Sequence, residues 1–282
     1  IVTNLGQVNN EGFEFSLNTV NIRNKNFTWS STFGLSHNKN TIKHLYYRYE
    51  DVLNEVGEVV GSKEVDDVNR GWFVGKDISA IWDHEFIGIW QEDEAEEAAK
   101  YGQQPGDAKV RDVNGDYKIT QEDKVFLGQE TPKFRWSFRN EFTLFRNWDI
   151  SLNLYSQMGH KQSTTEYLNF FDNLGDYSNT YKREYWTPEN KSNSYARLKS
   201  TRPSNINPKK VINKGFIRLE NISVSYRVPQ QFARKLMAKE ISIYGTVRNV
   251  AVWAFDKEWD YWDPETKGLL PRTFTFGASI TF

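Results

Sequence analysis

The strongest constraint in this sequence is a period of two. In "TFTFGASITF", residues 273–282, Phe274, Phe276, Ala278, Ile280 and Phe282 are apolar, while Thr273, Thr275, Gly277, Ser279 and Thr281 are small or polar. Successive side chains of a strand point to opposite faces, so this stretch is a strand with one face in an apolar medium and one near water. The pattern recurs. Phe13, Phe15 and Leu17 alternate with Glu14, Ser16 and Asn18, and Phe27, Trp29, Ser31, Phe33 and Leu35 alternate with Thr28, Ser30, Thr32, Gly34 and Ser36. In "KFRWSFRNEFTL", Phe134, Trp136, Phe138, Phe142 and Leu144 share one face, interrupted only by Asn140. Arg135, Ser137, Arg139, Glu141 and Thr143 share the other. A soluble sandwich also alternates, but segments of about ten residues, aromatic on one side and charged on the other, favour a transmembrane β-barrel.

Composition favours the barrel without excluding the sandwich. The mean hydropathy is −0.71, very polar for a folded chain, yet 15% of the residues are aromatic. An ordinary core does not reconcile these values, and a disordered chain would be poor in aromatics. A barrel does, because only alternate strand residues need be apolar, aromatics gather at the two membrane interfaces, and long polar loops dilute the average. There is no run of 18 apolar residues and hence no candidate transmembrane helix. The net charge of −1 gives no basic field to recruit nucleic acid. The absence of cysteine excludes a disulfide scaffold and thiolate metal sites. The chain opens on "IVTNLGQVNN" without Met or a leader pattern, which points to a removed signal or a start that is not the natural one.

The alternation predicts nine strands, at about 11–22, 27–46, 68–77, 80–90, 133–144, 148–158, 214–228, 240–254 and 271–282. Short polar turns, "RNKN" at 23–26 and "RNW" at 146–148, contrast with long connections at roughly 47–66, 91–132 and 159–213. Tight turns on one side and long loops on the other are an outer-membrane pattern. If Phe282 is periplasmic, counting strand directions backwards puts both short turns on the periplasmic side. Nine is odd, whereas bacterial single-chain barrels are even, so further strands are expected before Ile1.

Several stretches together resemble a known family. "NNEGFEFSLNTVNIRNKNFTWSSTFGLSHNKN", "PGDAKVRDVNGDYKIT", "LGQETPKFRWSFRNEFTLFRNWDISLNLYSQMGHK", "EYWTPENKSN", "FIRLENISVSYRVP", "ISIYGTVRNVAVWAFDKEWDYWDPET" and the closing Phe resemble the C-terminal part of SusC/RagA-type TonB-dependent outer-membrane transporters of Bacteroidetes. The resemblance covers nearly the whole chain. It implies an all-β antiparallel transmembrane barrel of roughly 22 strands, of which residues 1–282 would supply about the last nine, with long extracellular loops. The plug domain, the TonB-contact motif and the first strands would lie outside this chain. It further implies import of a glycan oligomer or peptide, a SusD-like surface lipoprotein as lid, coupling to the TonB complex through the missing plug, outer-membrane lipid around the barrel, and no enzymatic step. In such proteins a terminal strand ending on an aromatic, here Phe282, is read by the insertion machinery and also closes the barrel.

Three further features carry candidate sites. "DVNGDYKITQED", 112–123, has calcium-loop spacing, with Asp112, Asn114, Asp116, Lys118 through its carbonyl, Thr120 and Asp123 at alternate or terminal positions. Tyr117 stands where the loop wants Gly, and Asp123 where it wants Glu. A polar turn held by Asx hydrogen bonds explains the same residues, so calcium and the plain turn both remain open. The loop 159–213 carries Tyr167, Phe170, Phe171, Tyr177, Tyr181, Tyr185 and Trp186 among amides and acids. Such a set suits stacking on sugar rings or peptide side chains, or on a lid; packing of the loop onto itself is the alternative. "EDEAEEAAK", 92–100, predicts a short surface helix whose acidic start and Lys100 end match the helix dipole. His37, His44, His84 and His160 have no metal-ligand spacing, and no catalytic motif is present. A passive or structural barrel, such as an adhesin or secretion-complex subunit, and a barrel enzyme are the rival readings.

Overall fold

The computed structural model describes residues 6–164, 184–206, 208–259 and 262–282. These residues divide into two compact units. One comprises 8–41, 131–160 and 213–282; the other comprises the chain up to 7, 42–130 and 161–212.

The first unit is built on one seven-stranded sheet. Its strands are β1 (Gln7–Arg23), β2 (Phe27–His44), β3 (Phe134–Leu144), β4 (Trp148–Met158), β5 (Phe216–Arg227), β6 (Glu240–Ala254) and β7 (Thr273–Thr281). Neighbours in sequence are neighbours in the sheet, in the order β1 to β7, and the pairs from β2 onward are antiparallel. This is an up-and-down meander. Among the described residues, β1 and β7 each have a sheet neighbour on one side only. The transmembrane antiparallel architecture is the expected one, but the number of strands is not. Residues 68–77 form turns around an isolated Asp67–Trp72 bridge, with Gly71 and Gly75 at φ +70° and +83°. Residues 80–90 form two short strands, Ala80–His84 and Phe86–Ile89, paired in separate two-stranded ribbons with Lys124–Gln129 and Ala108–Val110. Both segments therefore leave the barrel wall. Left-handed glycines interrupt the first, and the second splits at Glu85 between its two partners.

Register sorts the side chains. Across β2, β3 and β4, Phe33, Phe138 and Leu154 stand in one row, as do Trp29, Phe142 and Ile150. Val224, Gly245 and Phe276 continue the same face on β5, β6 and β7. The opposite face carries Thr32, Arg139 and Asn153, then Ser223, Thr246 and Thr275. The apolar face is bare: Phe276 is 80% exposed, Phe274 60% and Phe13 51%. A contiguous aromatic surface of this kind does not survive in water and is the normal outer surface of a barrel in lipid.

Asn140, the one polar residue in the β3 apolar row, is buried rather than lipid-exposed. Its Oδ1 accepts from Trp29 Nε1 at 3.0 Å and from Ser31 Oγ at 2.8 Å, and Ser31 in turn accepts from Asn21 Nδ2 at 2.7 Å. An unpaired amide in hydrocarbon would cost several kcal/mol, and the cross-strand network removes that cost.

β5 needs a device of its own. In "FIRLENISV" strict alternation would put Phe216, Arg218, Glu220, Ile222 and Val224 on one face. A register shift between Leu219 and Asn221 intervenes. It sets Leu219 opposite Leu154 and Arg218 opposite Tyr155. Because a slip of one residue exchanges the faces, the bulge moves Arg218 from the lipid side to the lumen side.

The two faces make a direct prediction. In the full-length protein, Phe138→Arg should destabilise the barrel by about 2–4 kcal/mol and Ser137→Arg by close to nothing. Equilibrium unfolding in lipid vesicles reads both, and equal losses would mean that the faces are misassigned.

Candidate functional site

The polar face of the first unit carries a charged cluster on β4 and β5. Arg218 is 2% exposed. Its Nη2 donates to Asp263 Oδ2 at 2.6 Å and lies 3.5 Å from Glu265 Oε2. Tyr155 Oη donates to Glu265 Oε2 at 2.5 Å, and Gln157 Nε2 to Glu265 Oε1 at 3.1 Å. The guanidinium carbon stands 5.2 Å from the Phe216 ring centroid and 5.9 Å from that of Tyr155. The two acids lie in the connection between β6 and β7. That segment holds its own shape: Asp263 Oδ1 accepts from the backbone N–H of Glu265 and Thr266, and Asp263 N–H donates to Gly268 O. A fully buried guanidinium is tolerated only when paired, and two carboxylates supply that here. The buried Arg218 Nε has no hydrogen-bond partner among the described residues. Such an orphan costs about 1–3 kcal/mol.

Beside this cluster runs a groove of about 490 Å³. Tyr155, Gln157, Arg135, Ser137, Ser36 and Glu14 contribute to its lining. Its size is that of a site for a small ligand, and its lining mixes hydroxyl and charged groups with Phe15, Leu35 and Trp136. Sequence reasoning missed the Arg218 cluster. A lumen-facing Arg is ordinary in a barrel, its acidic partners lie more than 40 residues away, and nothing local announces the bulge that turns it inward.

The calcium-spaced loop belongs to the second unit. Asp112 Oδ1 accepts from Gly115 N–H at 2.7 Å and its Oδ2 from Tyr117 N–H at 2.9 Å. Asn114 Oδ1 accepts from Asp116 N–H, and Asp116 Oδ1 from Lys118 N–H. Asp123 accepts from Val113 N–H and Thr120 N–H. Thr120 caps the short turn Gln121–Asp123 by accepting from Glu122 N–H. Tyr117 takes the sharp turn at φ +62° although it is not glycine. The geometry is that of a turn held by Asx bonds. Among the described residues no group of three or more His, Cys, Asp or Glu side chains is placed to hold a metal ion. Burial opposes ionisation of Asp112, but the N–H groups of Gly115 and Tyr117 outweigh it and hold the carboxyl below the usual aspartate range. Burial and the Asp112 carboxylate push the Tyr101 phenol up to about 12.

Of the aromatic loop, Tyr167, Phe170, Phe171, Tyr177 and Tyr181 lie outside the described residues. Tyr185 is 37% exposed. Trp186 is buried in a small core with Ile89, Ala108 and Ala196, and its Nε1 donates to Gln91 Oε1 at 3.0 Å. Gly106 sits close beneath it at φ +90°, where a Cβ would come within 2.5 Å of the indole. Trp186 thus packs its loop against the connection that carries Ile89, Gln91 and Ala108. The predicted helix is present as a 3₁₀ turn, Glu92–Glu94, running into Ala95–Lys100. Phe282 is 72% exposed, with its carbonyl accepting from Lys239 Nζ at 2.8 Å.

No protein-family profile matches the chain. Among curated proteins it is 29% identical over 300 residues to TonB-dependent receptor P26 of Formosa agariphila, covering 99% of this chain and 30% of that protein. It is 25% identical over 315 residues to TonB-dependent receptor P3 of the same organism, covering 100% of this chain and 29% of that protein. The chain therefore spans about 30% of the length of the curated relatives it matches. Among solved structures, the RagAB peptide transporter aligns with a TM-score of 0.67 at 16% identity, over 98% of this chain and 30% of that one. The RagAB peptide importer in its closed-closed state aligns with a TM-score of 0.64 at 16% identity. The first set of relatives are receptors rather than enzymes, and the second shows the same fold. The chain is barrel wall of the bacterial outer membrane, related along nearly its whole length to TonB-dependent receptors.

Two outcomes follow from these placements. Trp186→Ala should lower the local stability of the second unit by about 3–5 kcal/mol, through the cavity it leaves. Faster amide exchange at residues 86–90 and 107–110 of the full-length protein would report this; unchanged exchange would remove Trp186 from the core. Deleting Phe282 removes a side chain that is largely exposed in this chain. It should lower outer-membrane abundance and leave the melting temperature of the inserted protein unchanged. A lowered melting temperature at unchanged abundance would make Phe282 a packing residue.

Proposed function

We propose that this chain, whose relatives are TonB-dependent receptors, is part of the wall of an active importer in the outer membrane. It would carry oligomeric cargo, peptide or glycan, driven from the inner membrane through TonB. One observation carries the reading: a seven-stranded meander with a bare aromatic face and a polar face, and an outer connection folded onto that polar face at Arg218. An open sheet edge is not tolerated in hydrocarbon, so β1 and β7 are each continued by strands of the whole protein. The groove beside Arg218 then lies on the path of the cargo. A plug domain inside the closed barrel supplies the coupling to TonB, and a SusD-like surface lipoprotein covers the outer mouth. The pairing of transporter and second component in the RagAB structures supports that lid, and RagAB being a peptide importer supports an oligomeric cargo.

Transport in this reading is conformational, with no covalent step. Cells expressing the full-length protein should take up labelled peptides or oligosaccharides, and the uptake should stop when TonB is deleted. Uptake that persists without TonB would make the protein a passive pore; loss on deleting the neighbouring lipoprotein would identify the lid.

A further inference from the structure

The Arg218 cluster has two carboxylates that are not equivalent. Asp263 is 5% exposed, and its second oxygen holds the loop's own backbone. It is structural. Glu265 is 34% exposed, stands 3.5 Å from the guanidinium, and is held by two neutral donors, Tyr155 Oη and Gln157 Nε2. Those same two residues line the groove of about 490 Å³, together with Arg135. Both acids approach a single nitrogen of Arg218, its Nη2, while the buried Nε–H has no acceptor among the described residues. A guanidinium fork is built to hold a carboxylate through two parallel N–H groups, and here only one is matched.

We propose that Arg218, Tyr155 and Gln157 form a carboxylate-recognition site on the lumen wall, filled in the resting protein by the chain's own Glu265. A cargo carboxylate entering the groove takes the place of Glu265 on Tyr155 and Gln157 and completes the Arg218 fork. Asp263 stays on Arg218, and the part of the connection beyond Thr266 is released from the wall as this happens. The cargo class is thereby narrowed to oligomers that bear a carboxylate, either a peptide C-terminus or a uronic acid. Both present the same planar anion to the same three donors. Internal competition also sets a threshold, because the ligand must displace a group already held by the site. The inference deepens the import reading and rests on it for the identity of the ligand as cargo.

The test uses the purified full-length protein, made cysteine-free except for a spin label at Leu269→Cys, a position 82% exposed. The probes are hexapeptides with a free C-terminus and the same peptides amidated, and a hexamer of galacturonic acid beside a neutral galactose hexamer. Carboxylated probes should raise the label's mobility, and the neutral partners should not. Response to peptides alone or to the uronate alone identifies the source of the anion. In Glu265→Gln the internal competitor is gone, so the effective probe should bind at least severalfold more tightly. In Arg218→Lys, which keeps the charge and loses the fork, it should bind more weakly. Equal response to acid and neutral probes, unchanged affinity in Glu265→Gln, or no response to any carboxylated probe overturns the site. None of these results touches the import reading, which is judged separately by TonB-dependent uptake.

Discussion

The rest of the structure depends on the backbone hydrogen bond in hydrocarbon. Where water is absent, every peptide N–H and C=O must find its partner within the protein. An antiparallel ladder does this between neighbours, and the up-and-down order β1 to β7 pairs each strand with the wall strand next to it in the chain. Once the ladder is fixed, the side chains have only two directions. One faces lipid and is aromatic; the other faces the lumen and carries Ser, Thr, Arg and Glu. The low mean hydropathy and the high aromatic content of this chain are both consequences of that division.

Polar atoms on the lipid side show how strict the requirement is. Asn140 persists there only as the acceptor for Trp29 and Ser31, within a network continued by Asn21. On the lumen side the constraint is relaxed, and charges are free to act on one another and on whatever passes. Arg218 reaches that side through a bulge, which converts a sequence position that would face lipid into one that grips the β6–β7 connection.

Legibility from sequence follows the same physics. The seven wall strands are visible because lipid enforces a period of two over most of their length, and their ends fall within a few residues of those expected. Residues 68–77 and 80–90 show a similar alternation, but nothing enforces it in a water-exposed loop, and the chain there turns at Gly71 and Gly75 or divides between two ribbons. These two false strands are adjacent. Losing both reverses no direction, so the assignment of "RNKN" and "RNW" to one side survives an incorrect count. Trp186 is legible as an aromatic in a polar loop but not as buried, because its partners Ile89 and Ala108 come from a different connection. The Arg218 cluster is illegible for the same reason, joining residues 155, 218, 263 and 265.

The central claim is that alternate residues of these strands face lipid and a water-filled lumen. It is tested most directly by single cysteines at Trp136, Phe138, Phe274 and Phe276, and at Ser137, Arg139, Thr275 and Gly277, in the full-length protein in native outer membranes. Labelling with a membrane-impermeant maleimide and quenching by a lipid-borne quencher are then read at each site. The account predicts strict reversal between the two sets: the first quenched by lipid and slow to label, the second the opposite. Equal labelling and equal quenching along both sets would contradict it and return the chain to a sandwich in water.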